Sequence, residues 1–342
     1  MDKPKGRGIT ARAWWPWARR IATLAFFSLV VWLLFKQART IDWAQVWQAA
    51  ANHPLPALLL AAGLGIASHL LYSSFDLLGR HYTGHRLPAR QVMLNTFISY
   101  AFNLNLGSLV GGVAFRFRLY SRLGLDNARI GRILGISMLT NWLGYLVLAG
   151  AVFASGLLEV PAEWRIAGPP LQWLGGALLL AAAGYLLACF ASKRRLLVVR
   201  GHELPLPTGR MALLQLVMSC TNWMLMGAMV WTLLDQRIGY PTVLGVLLIA
   251  AIAGVVTHVP AGLGVLEAVF VTLLSDRMPA GELLASLLIY RAMYYLVPLA
   301  LATLLHLTIE ARALKAKGRG LPPPAPPPRP APARPATRAP LH

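Results

Sequence analysis

Apolar residues in this chain fall in long unbroken runs, with neither the alternation of a half-buried strand nor the narrow stripe of a surface helix. The runs cover roughly 18–35, 55–78, 91–110, 131–156, 170–190, 211–234, 242–275 (interrupted) and 284–308. At a rise of about 1.5 Å per residue, some 20 residues cross a bilayer core. The pattern predicts an all-α polytopic membrane protein with about eight hydrophobic segments. No connection between them is long enough for a soluble domain.

Composition agrees. The chain is 57% apolar and only 13% charged, against about 25% charged for ordinary soluble domains. A water-soluble fold could not hide that much apolar surface. The first run (18–35) follows a basic start but is followed by Lys36-Gln37-Ala38-Arg39. A small-x-small cleavage site is missing there, so an uncleaved first helix is expected, anchored by Trp14, Trp15 and Trp17. Residues 1–17 form a basic N-terminus and 18–310 the integral membrane domain. The Pro-, Ala- and Arg-rich stretch 311–342 is expected to be a disordered tail.

The net charge of +20 changes the picture through its placement. Lys and Arg collect at the N-terminus, in 79–90, 116–132 and 191–210, and in the C-terminal tail, whereas 36–54, 157–169, 235–241 and 276–283 are poor in them. If the rich stretches are cytoplasmic, the tally is 26 against 5, with Arg291 left inside a helix. Both termini then face the cytoplasm. The basic blocks suit anionic phospholipids, with no nucleic acid as partner.

This assignment creates a conflict at two places. The run 91–110 is flanked by basic connections on both sides, and 242–275 by poor ones. Both regions are therefore expected to be re-entrant, opening to opposite faces, which leaves six full spans. Units of about 55–156 and 211–308 would form an inverted repeat. A shift of 151 residues places Gly111 on Gly262, Phe115 on Leu266, Arg116 on Glu267 and Thr140 on Arg291. Inverted repeats with broken helices are a transporter architecture. Eight simple crossings remain an alternative reading of the same hydropathy.

Two constellations stand out. The first runs from Asn103 and Asn105 through Gly111 and Gly112 to Arg116 and Arg118. Glycines there allow a sharp turn, a half-helix start could face an anion, and Arg suits phosphate. A glycine-mediated helix crossing followed by topology-setting arginines explains the same residues. The second is His258-Val-Pro260-Ala-Gly262-Leu-Gly264-Val-Leu-Glu267, with Tyr290 and Arg291 in the last span. Glu267 and Arg291 are natural partners, either as a structural ion pair or as the lining of a polar cavity. Asn95, Asn141 and Asn222 lie in apolar runs, where hydrogen bonds between helices would account for them. Cys189 and Cys220 fit neither a disulfide framework nor a metal spacing. Soluble-type catalytic, nucleotide and metal signatures are missing, so no cofactor and no metal are expected.

Gly111-Gly112 with Arg116, Arg122-Leu-Gly124-Leu, Pro260-Ala-Gly262-Leu-Gly264-Val-Leu-Glu267 and Tyr290-Arg291 resemble the transmembrane-region family of lysylphosphatidylglycerol synthase. That family includes stand-alone, YbhN-like bacterial inner-membrane proteins. The resemblance covers roughly residues 20–310. It implies a multi-pass inner-membrane protein of flippase type, since in bifunctional members this region moves aminoacylated phosphatidylglycerol between leaflets. A separate soluble domain makes the lipid there. This chain instead ends in its Pro-rich tail, so lipid movement without aminoacyltransferase activity is expected. A non-catalytic partner of a phospholipid-synthesising membrane enzyme is the second expectation. An intramembrane enzyme using Glu267 or His258 is the third.

Overall fold

The protein's computed structural model describes residues 53–158, 160, 168–191, 196–199, 202–257, 259 and 262–318, with isolated residues between 44 and 51. The expected first helix (18–35), His258, Pro260 and the tail beyond 318 lie outside the described residues. In chain order the helices are α1 (Leu55–Ser73), α2 (Phe75–Thr83), α3 (Ala89–Leu106), α4 (Phe115–Arg122), α5 (Asn127–Ala154), α6 (Pro169–Ala191), α7 (Gly209–Leu233), α8 (Tyr240–Thr257), α9 (Val265–Leu274), α10 (Ala280–Arg291) and α11 (Val297–Gly318). Wide π-helical turns at Ser108–Ala114 and Ala292–Leu296 join α3 to α4 and α10 to α11. A short antiparallel hairpin, β1 (Leu196–Val199) with β2 (His202–Pro205), sits between α6 and α7. Helix α11 continues past the boundary expected for the tail at 311.

Among the described residues, six stretches are long and apolar enough to cross a membrane: Leu55–Thr83, Asn127–Ala154, Pro169–Ala191, Gly209–Leu233, Tyr240–Thr257 and Ala280–Arg312. Their surfaces are inverted relative to a soluble domain. Leu59, Ile66, Leu180, Leu187, Val217 and Leu304 are exposed, whereas Ser68, His69, Asp76, Thr140, Gln215 and Asn222 are buried. In hydrocarbon this is the favourable arrangement, because polar side chains bond one another inside and apolar ones meet lipid. Polar groups tie the long helices together: Gln215 on α7 donates to Thr140 Oγ1 on α5 at 3.0 Å, and Ser219 donates to the Asn141 carbonyl at 2.9 Å.

Among the described residues the chain also folds back at two glycine-marked turns, the second of them following α8, itself one of the six apolar stretches. Helix α3 stops at Gly107 (φ 83°), and the chain returns as the π turn and α4. Phe102 and Phe115 stack across this hairpin with centroids 4.1 Å apart. Gly111 lies so close to α3 that an added Cβ would overlap the backbone of Phe102 and Asn103. In the second case α8 ends at Thr257, and Gly262 (φ 55°) and Gly264 (φ 75°) turn the chain into α9. Positive φ at these three sites is open to glycine at little cost and penalises other residues.

The packing of the two halves interchanges. Helices α1 and α7 pack on each other, the α3–α4 hairpin rests on α11, and the α8–α9 hairpin rests on α5. The last contact includes a hydrogen bond from the Tyr145 hydroxyl to the Leu248 carbonyl, 3.1 Å. Helix α6 packs on α5 and α7 and turns most of its surface outward.

Replacing Gly111 by alanine should push α3 and the return turn apart and lower stability by about 1–3 kcal/mol, the usual cost of overpacking. Gly63→Ala, on the open face of α1 with nothing within 4 Å, should be neutral. Thermal unfolding of the two variants in detergent, followed by size-exclusion chromatography, checks the contrast; equal stability would refute the close packing at Gly111.

Candidate functional site

The tips of the two hairpins border one space. Between them lies a cavity of about 530 Å³, and residues from both halves line it. Asn103, Leu106, Gly107 and Ser108 come from the first hairpin. Ala251, Gly254, Val259, Gly262 and Leu266 come from the second. Tyr72, Asn141, Trp223 and Tyr295 complete the wall from α1, α5, α7 and the second π turn. The volume falls in the ordinary range for ligand pockets, as does an apolar wall with a few placed polar groups. Gly112 stands beside Asn103, where a Cβ would lie 2.9 Å from the carboxamide oxygen. The glycine thus leaves room for that side chain.

Beneath Gly262 sits an ion pair. Arg291, at the end of α10, donates through Nε to Glu267 Oε1, and through Nη2 to Glu267 Oε2 at 2.9 Å and the Gly262 carbonyl at 2.7 Å. Its guanidinium lies 5.6 Å from the centroid of the Tyr295 ring. One side chain therefore holds the turn, the first turn of α9 and the end of α10 together. Each of those groups would be costly to leave unbonded in hydrocarbon.

A second ion pair lies beyond the first hairpin. Arg116 on α4 bonds Asp76 on α2 in a fork, Nε to Oδ2 at 3.1 Å and Nη2 to Oδ1 at 3.3 Å; Nη2 also reaches Ser137 Oγ at 3.3 Å. The Tyr120 hydroxyl donates to Asp76 Oδ2 at 2.9 Å. Both charged side chains are almost wholly buried, at 2% and 0% exposure. The phosphate role expected for Arg116 does not match this position: its guanidinium is occupied by a carboxylate, and it stands behind Tyr72 and is not itself among the lining residues. Asp76 was not among the residues singled out from the sequence. Its signal was available, as an acid inside the apolar run 55–78.

Where the last span breaks, a third cluster joins the halves. Pro298 has no N–H to offer the Tyr294 carbonyl four residues earlier, so the helix widens there. His69 Nε2 on α1 lies 3.1 Å from that carbonyl and supplies the missing donor. Asn105 on α3 donates to the Tyr295 carbonyl at 3.2 Å. The Tyr294 hydroxyl meets Ser68 Oγ at 2.8 Å and the Tyr100 hydroxyl at 3.1 Å, and Ser68 donates to Asn222 at 2.8 Å.

Of the residues expected at a site, Asn103 and Gly262 line the cavity, with Gly112 supporting Asn103. Glu267 and Arg291 form their pair directly behind its wall. Gly264 caps α9, Gly111 packs against α3, and Asn105 bonds the second π turn. Tyr290 is buried and stacked on Tyr294 at 5.4 Å. Arg118 lies at the far end of the first hairpin, 3.4 Å from Glu310, which Arg122 also bonds. Of the three asparagines read as bonds between helices, Asn222 makes one; the side-chain amide nitrogen of Asn95 is buried without a partner.

Breaking the deeper pair should be severe. Asp76→Ala leaves Arg116 buried and uncompensated, an expected loss of about 3–5 kcal/mol, and Asp76→Leu combined with Arg116→Met should recover most of it. Thermal unfolding of the purified variants measures both. A single variant as stable as the wild type would show that the pair does not clamp α2 to α4.

Comparison with known proteins places this architecture. The family model described as the lysylphosphatidylglycerol synthase TM region matches residues 20–302. The inner membrane protein YbhN of Escherichia coli is 47% identical over 306 residues, covering 89% of this chain and 96% of that protein. A Synechocystis protein is 26% identical over 85% of this chain and 92% of its own length. A phosphatidylglycerol lysyltransferase of Staphylococcus haemolyticus is more distant, 23% identical over 82% of this chain but only 32% of the enzyme. With its apolar spans, broken hairpins and matching length of chain, the protein is a multi-pass membrane protein of the lysylphosphatidylglycerol synthase transmembrane-region family.

Proposed function

We propose that this protein is a lipid translocase of flippase type without aminoacyltransferase activity, and that a lipid headgroup crosses through the cavity between the hairpin tips. The observation that carries the reading is that two broken hairpins line one and the same cavity of about 530 Å³. Helix breaks at membrane depth are tolerated where they are buried in protein or line a polar space. Acyl chains would stay in the bilayer against the exposed leucines and valines, while the headgroup moves along Asn103, Ser108 and Asn141.

In this reading the two hairpins enter from opposite faces of a bacterial inner membrane, as units related by an inverted repeat. The basic connections and both termini lie on the cytoplasmic side, where anionic phospholipids neutralise them. The Glu267–Arg291 pair and Tyr295 form a gate behind the cavity wall. Movement runs downhill or uses a gradient. The shared stretch occupies about a third of the Staphylococcus haemolyticus lysyltransferase, which favours a second reading: a membrane partner that receives lipid from, or positions, a phospholipid-synthesising enzyme.

The test is leaflet sidedness in proteoliposomes. Wild type should equilibrate a chain-labelled phospholipid between leaflets, and Ala251→Trp, which fills the cavity from α8, should reduce the rate to that of empty vesicles. A wild-type rate equal to empty vesicles, across lipids of every headgroup charge, removes the translocase reading. Co-purification with a lipid-synthesising enzyme together with that result would establish the second one.

A further inference from the structure

We infer that the cavity selects a headgroup with no net charge, read by the carboxamides of Asn103 and Asn141 and the hydroxyl of Ser108. The inference rests on the cavity being the lipid site and adds the chemical class of the lipid.

The polar groups on the wall are neutral. Asn103 and Ser108 approach from the first hairpin and Asn141 from α5, with the rings of Tyr72, Tyr100, Trp223 and Tyr295 between them. Among the described residues that line the cavity, none carries a formal charge. Several polar groups nearby are already engaged. The Trp223 indole donates to the Asn141 carbonyl at 3.2 Å, and the Tyr100 hydroxyl bonds Tyr294. Asn103, Ser108 and Asn141 line the space with no side-chain hydrogen bond to another described residue. A carboxamide offers two donors and an acceptor, and a hydroxyl offers both roles. Such a set reads hydroxyls, amines and ester oxygens and favours neither sign of charge.

The two buried arginines near the cavity among the described residues do not alter this. Arg291 is neutralised by Glu267 and also bonded to the Gly262 carbonyl, and Arg116 is neutralised by Asp76. An anionic headgroup that recruited either arginine would strand a carboxylate in hydrocarbon; a cationic one that recruited either carboxylate would strand an arginine. A headgroup whose own charges sum to zero, or that has none, requires neither. Zwitterionic phospholipids and uncharged glycosyl or glycerol lipids share this property.

The experiment uses full-length protein in vesicles of one acyl composition containing, in turn, chain-labelled phosphatidylethanolamine, glucosyl diacylglycerol, phosphatidylglycerol or a cationic diacyl trimethylammonium lipid. The two net-neutral lipids should move at least roughly tenfold faster than the two charged ones, the scale set by an uncompensated charge at membrane depth. Their relative rates separate a zwitterion from a polyhydroxyl headgroup. Asn103→Leu should slow both. Asn103→Asp, which places a carboxylate on the wall, should shift preference toward the cationic lipid. Faster movement of phosphatidylglycerol than of both neutral lipids overturns the inference and leaves translocation standing. If no lipid moves, translocation falls, and native mass spectrometry of lipid retained by the wild type and Asn103→Leu decides the selectivity: retention favouring the neutral lipids and lost in the variant supports it, and retention indifferent to headgroup charge overturns it.

Discussion

Hydrocarbon offers no hydrogen bonds, so each broken turn and each charge of this chain has to be answered by another part of it. Where Pro298 frees the Tyr294 carbonyl, His69 from α1 reaches across to it. Asn105 of the first hairpin bonds the Tyr295 carbonyl at the same break, and Arg291 bonds the carbonyl of Gly262. The breaks thereby become the points at which the halves are fastened. An intact helix satisfies its own backbone and needs no neighbour for that purpose; a broken one cannot be stable alone. The breaks that border the cavity are thus also points to which distant helices bond.

The two ion pairs follow the same logic with opposite signs. Arg116 and Glu267 stand 151 residues apart in sequence, each in the first turn of a return helix, α4 and α9. Arg116 takes its carboxylate from α2 and touches Ser137 on α5, whereas Glu267 takes its arginine from the end of α10. The feature common to both halves is a return helix clamped by a buried pair, with the sign of the charge free to differ. This explains why arginine at Gly111-Gly112 looked like a phosphate ligand: a half-helix, glycines and a cation are the parts of an anion site. Only the position of Asp76, some 40 residues earlier and in a different helix, converts that cation into a clamp.

Hydropathy runs made the long helices legible, because membrane length imposes a span of apolar residues that soluble folds rarely need. The breaks were legible as well, since Gly107, Gly262 and Gly264 mark turns that other residues resist. Glu267 with Arg291 could be paired from the cost of a lone charge at depth. The same rule applied to Asp76 would have found it, but that residue lies near the end of an apolar run, where an acid resembles a helix-terminal charge. Neither the short β1–β2 hairpin nor the widening at Ala292–Leu296 could be read locally. The first is a matter of backbone pairing inside a basic connection, and the second depends on donors that His69 and Asn105 bring from distant helices. The cavity wall was the least legible part. Asn103 stood out only as part of a candidate anion site, and Asn141 read as an ordinary bonding residue until the fold brought both to one space.

That wall has a kinetic consequence. A lipid path needs sites that admit a headgroup and then release it, so groups that bind too firmly defeat transport. A buried arginine holding a phosphate would be worth several kcal/mol to break, because separation would leave an unpaired charge at membrane depth. A hydrogen bond to a neutral carboxamide or hydroxyl contributes only about 0.5–1.5 kcal/mol net. Sequestering Arg116 and Arg291 in pairs therefore does more than stabilise the fold. On the proposed translocase reading, it also removes the strongest traps from the neighbourhood of the cavity, and Asn103, Ser108 and Asn141 would then guide a headgroup past contacts weak enough to let go.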